Sequence, residues 1–405
     1  MSITRARDLR SGKPVWAAYR HLAIPTRRLT RNCVADVVVI GAGISGAVVS
    51  HSLTERGFRP LVLDRRAGAR LGSTAASTAL LQFELDTPLT KLSRTLGKRT
   101  AERIWLCSRD AVNTLRTKAN RLGLSAHLNS RPSLYLAGNV LDARGLGREV
   151  KARRHIGLMS ELLSRSSLKE HFDIDRSAAI LNHGNLEADP VSLASGFLMH
   201  AIRNGARFHA PHDVVDIEPS RRGSTLTTAD GVEISTRHVV LCAGYEFPKL
   251  VPMGRNKIIS TWAIATRPQP QSIWPQRALI WEASEPYLYL RSTFDGRIIC
   301  GGEDEEYSNA ERRDRQSAAK AATLQKKLHR LFPDVDSRAT HSWAGSFGAS
   351  STGTPTIGEI PGFPRCYAAL GYGGNGITFS MLAATLLSAQ VAGRRAPGAE
   401  LFAFR

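Results

Sequence analysis

The chain has 405 residues, 42% hydrophobic and 22% charged, as expected of a globular protein with room for two domains. Its net charge of +20 is unusual, but only eleven of the 55 basic residues are lysine and the arginines run from Arg5 to Arg405, so nucleic acid is an unlikely partner; such a binder gathers its charge on one face or tail. Five scattered cysteines without a CxxC pair argue against a disulfide framework or zinc site and for reduced thiols in a cytoplasmic protein, and no apolar run reaches the ~18 residues of a membrane span.

Residues 1–32 are basic, with Pro14 and Pro25 as breakers and Trp16 and Tyr19 as the only aromatic residues. This stretch is either an extended arm packed on the first domain by its two rings or a tail without fixed structure. It holds no apolar core of signal-peptide type.

The organising stretch follows at Ala35–Gly46. Val37 to Ile40 is a β-branched apolar run, as in a parallel strand covered on both faces. Gly41 permits a tight turn, Gly43 lets backbone approach a pyrophosphate, and Gly46 lets the next helix pack close to the strand. A diphosphate would then rest on free N–H groups at the helix N-terminus. The helix ends near Gly57, and a second strand, Pro60–Leu63, leads to Asp64. An acid about 20 residues beyond the turn is placed to accept ribose hydroxyls. Strand, turn, helix, strand and acid in this order predict dinucleotide binding.

Residues 72–82 are small and hydroxylated, then apolar, as in a loop lying against something large and flat. Helical spacing predicts a helix over 99–122 whose inner face is Ala101, Ile104, Trp105, Val112, Leu115, Ala119 and Leu122. Arg131–Leu136 reads as a strand. Asp189 caps a helix opening at Pro190. Short strands follow around Val214, Leu226 and Val239, the last ending in the small residues Ala243 and Gly244. Residues 257–302 alternate aromatic strands with turns, Asp295-Gly296 among them, and predict an antiparallel sheet. After a helix near 315–331, a second glycine turn spans 371–378 and opens a helix that is apolar nearly all round, hence buried.

Together these segments resemble the D-amino-acid oxidase superfamily of FAD-dependent oxidoreductases, which includes glycine oxidase and sarcosine oxidase. The resemblance covers most of the chain through four motifs in order. It implies an α/β fold: a discontinuous Rossmann-type FAD-binding domain (1–128, 145–250 and 338–405) with a smaller, mainly antiparallel β-sheet substrate domain (129–144 and 251–337). The cofactor residues it implies are Gly41, Gly43, Ile44, Ser45, Gly46, Asp64 and Arg65 in the first motif. Gly72, Ser73, Thr74, Ser77, Thr78, Leu80 and Gln82 come from the loop beside pyrophosphate and flavin. Val214 would meet the adenine with its backbone, and Ala243 and Gly244 end a strand nearby. Gly373, Gly374, Asn375, Gly376, Ile377 and Thr378 would face the flavin's pyrimidine end.

The chain departs from the family in one respect. Some amino-acid oxidases carry a carboxylate-clamping arginine after the strand leading to the last motif, but Trp343–Ser351 contains none. Another cation must replace it, or the substrate is not an ordinary amino acid. Arg291 is either that cation or an outward-facing arginine on an edge strand. Arg291, Tyr289 and Gln82 are the residues expected to face substrate. The resemblance implies oxidation of a small amine or amino acid by hydride transfer to flavin N5, with oxygen or an electron carrier as second partner. Alternatives are oxidation of a hydroxy acid or other non-amine, and a basic flavoprotein acting through nucleic acid.

Overall fold

The computed structural model describes residues 3–4, 7–124, 128–246, 249–251 and 256–404. Two sheets carry the chain. The first has eight strands, in the order Thr356–Ile360, Phe363–Leu370, Glu233–Leu241, Cys33–Ile40, Leu61–Leu63 and Arg207–His209, with the hairpin Val214–Ser220 and Gly223–Thr228 alongside Glu233–Leu241. From Phe363–Leu370 to Arg207–His209 every pairing is parallel. Val37, Val38 and Val39 lie at its centre with no exposed surface, which explains their unbroken apolar run.

The helix after the first turn is Ile44–Thr54, and ten of its eleven residues are buried, so it shows no polar face. It packs against Pro190–Arg203 and Gly376–Val391, which are apolar for the same reason. Asp189 caps Pro190–Arg203 by accepting from the Val191 and Ser192 N–H groups. The long helix is Lys98–Arg121; Leu122 just beyond it is half-buried, and the remaining residues of the expected stripe are buried.

The second sheet has ten strands and is antiparallel except where Leu279–Glu282 runs parallel to Leu128–Leu136. Its period of two separates two environments. Trp262, Ile264, Leu290 and Cys300 face the helix Ser317–Leu331, whose Leu324, Leu328 and Leu331 cover them. Thr261, Tyr289, Gly345 and Phe347 line the space between this sheet and the first. Gly301 pairs with Tyr289, and a Cβ there would meet the Tyr289 ring at 2.3 Å, so glycine lets that ring lie flat across the sheet. Asp295-Gly296 makes the expected hairpin turn, with Gly296 at φ +82.

Sheet membership differs from the sequence division. Ser160–Ser164, Ala178–Ala188 and Ala339–Ala349, expected in the cofactor domain, belong to the antiparallel sheet. It therefore has more strands than the parallel one. Strand pairing between residues far apart in sequence leaves no compositional boundary to read. The arm spans both layers: Arg10–Gly12 pairs with Trp343–Gly345 at the edge of the antiparallel sheet, Trp16 is buried in the core, and Arg27 bridges to His209 at the edge of the parallel sheet.

Candidate FAD and substrate site

A cavity runs between the two sheets, and both glycine turns open onto it. At the first, Gly41 adopts φ +108, and a Cβ there would strike the Cys242 carbonyl at 2.3 Å. A Cβ on Gly46 would lie 1.8 Å from the Gly41 carbonyl oxygen, so helix and turn meet only because this residue is glycine. Gly43 begins the helix with no side chain of its own to cap it, and the Thr74 hydroxyl accepts from Ile44 N at 2.9 Å. Asn375 begins the helix at the second turn, also without a side-chain hydrogen bond to it. Two helix N-termini, each with unpaired N–H groups and a partial positive charge, thus face one cavity.

Asp64 lines the cavity and is tied back to the turn: its carboxylate accepts from Ala42 N (2.8 Å) and Arg66 N (2.8 Å). Burial raises its pKa, and those two N–H groups oppose the rise. Arg65 and Arg66 both pair with Glu246, itself buried. This acid was not evident from sequence because Tyr245-Glu246 carries no spacing signal.

The loop after the second strand is held by its carbonyls. Trp343 Nε1 donates to Ala76 O (2.9 Å) and Trp16 Nε1 to Ser77 O (2.7 Å). Arg291 Nη1 donates to Thr78 O (3.3 Å), Ala79 O (2.8 Å) and Ala188 O (2.7 Å). Four consecutive carbonyls are turned onto buried donors, and Gly72, Ser73, Thr74, Ser77, Thr78, Leu80 and Gln82 line the cavity.

The expected cofactor residues converge on this space. All of them line it except Gly46, which serves packing, and Thr378, whose hydroxyl donates to Gln82 O at 2.9 Å. Of the residues expected to face substrate, Tyr289 and Gln82 line the cavity. Arg291 does not: it is 2% exposed, and its guanidinium is engaged by four carbonyls (Ser292 O at 3.0 Å is the fourth), by Glu187 at 3.8 Å and by the Trp16 ring at 5.6 Å. Trp262 and Trp343, the other large rings of this half, are core residues. The rings that line the antiparallel side are Trp281, Tyr287, Tyr289 and Phe347. The arm, through Ile3, Thr4 and Leu9, and Asp86 also line the cavity, and neither has a sequence signature.

The profile of the DAO family, FAD dependent oxidoreductases, matches residues 36–390. The chain belongs to this family. Relatives include a probable oxidoreductase, OrdL, of Haemophilus influenzae, 24% identical over 89% of this chain and 83% of that protein. Glycine oxidase of Geobacillus kaustophilus is 23% identical over 87% of this chain and 92% of its own length. The solved structure of a glycine oxidase from the same organism superposes with a TM-score of 0.76 at 21% identity, covering 92% of this chain and 99% of that one. L-Proline dehydrogenase from P. horikoshii gives 0.75 at 18%, covering 94% and 97%. At these identities the structural likeness concerns the fold.

The residues of this oxidoreductase fit FAD, its family cofactor. Besides the two helix N-termini, the cavity presents Ser73 Oγ and Gln82 Nε2, both buried and neither bonded within the protein. Buried polar atoms of that kind call for a polar ligand. Among the described residues no helix is long and apolar enough to cross a membrane, and no cluster of His, Cys, Asp or Glu is placed to hold a metal.

Proposed function

We propose that the chain oxidises the carbon–nitrogen bond of a small amine or amino acid. Bound FAD would supply the two-electron acceptor, taking a hydride from the carbon beside the nitrogen. The N–H groups of Gly43 and Ser45 would carry the pyrophosphate, Asp64 the ribose, and Val214 the adenine side, where the Val214 carbonyl is already taken by Ile3 N at 3.2 Å. The turn at Gly374–Ile377 would hold the far end of the flavin. Tyr287, Tyr289, Trp281 and Phe347 would then roof the reacting face and exclude water from it.

The observation that carries the reading is the convergence of both glycine turns and the ring-lined sheet on a single cavity. The similar proteins named glycine oxidase and L-proline dehydrogenase favour a nitrogen-bearing substrate. Anaerobic mixing of the yellow holoprotein with amines, amino acids and hydroxy acids tests it. Amines or amino acids should bleach the flavin absorption; bleaching by hydroxy acids alone would overturn the reading. Reoxidation of the bleached protein by air or by a quinone then separates oxidase from dehydrogenase.

A further inference from the structure

The charges lining the cavity are unevenly distributed. Arg65 and Arg66 gather beside Asp64 and Glu246, and both arginines pair with Glu246. At the second glycine turn the lining charge is Asp86 alone. One of its oxygens accepts Gly374 N at 2.8 Å. A Cβ on Gly373 or Gly374 would meet the carboxylate at 2.8 or 2.9 Å, so glycine is what lets the acid sit there. Among the described residues Asp86 has no ion-pair partner.

Asp86 keeps free surface and lines the cavity. It shares the cavity lining with Tyr287, Tyr289, Trp281 and Phe347, and beside it the Tyr245 hydroxyl donates to Gly373 O at 3.3 Å. Tyr287 and Tyr289 lie 5.6 Å apart, centroid to centroid, with Trp281 and Phe347 on the same lining. Gln82, 7% exposed, adds an amide nitrogen with no partner within the protein. Neither lysine nor arginine lines this end. An enclosed carboxylate without a counter-ion is costly, and a cation removes the cost; aromatic faces add attraction for the same charge.

We propose that Asp86, with the surrounding rings, selects substrates that carry a second positive charge away from the reacting nitrogen, and disfavours those that carry a carboxylate there. The proposal rests on the reading of the chain as an amine oxidoreductase. A diamine-type substrate would place its distal ammonium against the Asp86 oxygen not used by Gly374. A carboxylate in the same position would meet a like charge with no arginine to receive it.

Two measurements on the FAD-loaded protein test this. In the first, hexane-1,6-diamine, hexylamine and 6-aminohexanoate are compared by anaerobic flavin reduction. Reduction rate per unit concentration should fall in that order, at least tenfold from first to last. Asp86→Asn should cut the preference for the diamine over hexylamine about tenfold. An equal or better rate with 6-aminohexanoate, or an unchanged preference in Asp86→Asn, overturns the proposal. The second needs neither turnover nor a variant: perturbation of the flavin spectrum by trimethylhexylammonium or by hexanoate. Tighter binding of the cation supports the proposal and tighter binding of the anion overturns it, even where only hydroxy acids reduce the flavin and the amine reading itself has failed.

Discussion

Replacing Arg291 by leucine removes the donor to Thr78, Ala79 and Ala188 and leaves Glu187 with Arg131 at 2.9 Å and Asn129 at 3.5 Å. Leaving buried carbonyls without their donor costs about 1–3 kcal/mol. Arg291→Leu should therefore show up as lost stability in urea denaturation, with no selective rise in KM for carboxylated substrates. Asp304 makes a different prediction. Burial raises its pKa from the usual 3.8 to about 6; Asp86 adds to the rise, while Thr261, Tyr287 and Lys320 oppose it. Between those values the folded protein holds a proton that the unfolded chain releases, so this group's contribution to stability falls as pH rises from about 4 to 6. Asp304→Asn lacks that loss, and its stability relative to the parent should climb across the same window. A difference independent of pH, from denaturation midpoints at pH 4 to 7, would show that the carboxyl titrates normally.

At the scale of elements, Trp16 shows how the arm reaches the cavity. Its indole holds the Ser77 carbonyl, and phenylalanine there would leave a buried acceptor unpaired at about 1–3 kcal/mol. Trp16→Phe should lower the melting temperature and speed FAD loss on dilution; unchanged retention would separate arm from loop. Gly46→Ala asks more of the backbone, because a Cβ 1.8 Å from the Gly41 oxygen forces the helix off the turn. That variant should purify colourless, or not fold. Both glycine turns were legible because strand, turn and helix are contiguous there, and glycine spacing records steric necessity directly. The role of Arg291 was not legible. Whether a strand arginine points to substrate or to carbonyls depends on a loop more than two hundred residues earlier in the chain.

For the whole molecule, the parallel layer and its three apolar helices could be read from hydrophobic runs and caps. The antiparallel layer was legible over 257–302, where hairpins link neighbours, but not at Ser160–Ser164, Ala178–Ala188 or Arg10–Gly12. Those strands find partners through tertiary pairing, which no local pattern announces. The isolated acid at the second turn escaped for the same reason. Asp86 sits in an unremarkable Leu85-Asp86-Thr87, and only folding brings it against Gly374.

The pairing of Arg10–Gly12 with Trp343–Gly345 also bears on how the protein is made. A ribosome delivers Trp16 more than three hundred residues before Trp343, an interval of roughly tens of seconds at ~5–20 residues per second. Throughout that interval the Ala76–Ala79 carbonyls lack one of their donors, and the second glycine turn does not yet exist. Cofactor capture is consequently an event of late or completed synthesis. Chains arrested after Leu331 should bind no flavin, and those released with all 405 residues should acquire it; stalled-ribosome pelleting with fluorescence detection of bound FAD would tell the two apart.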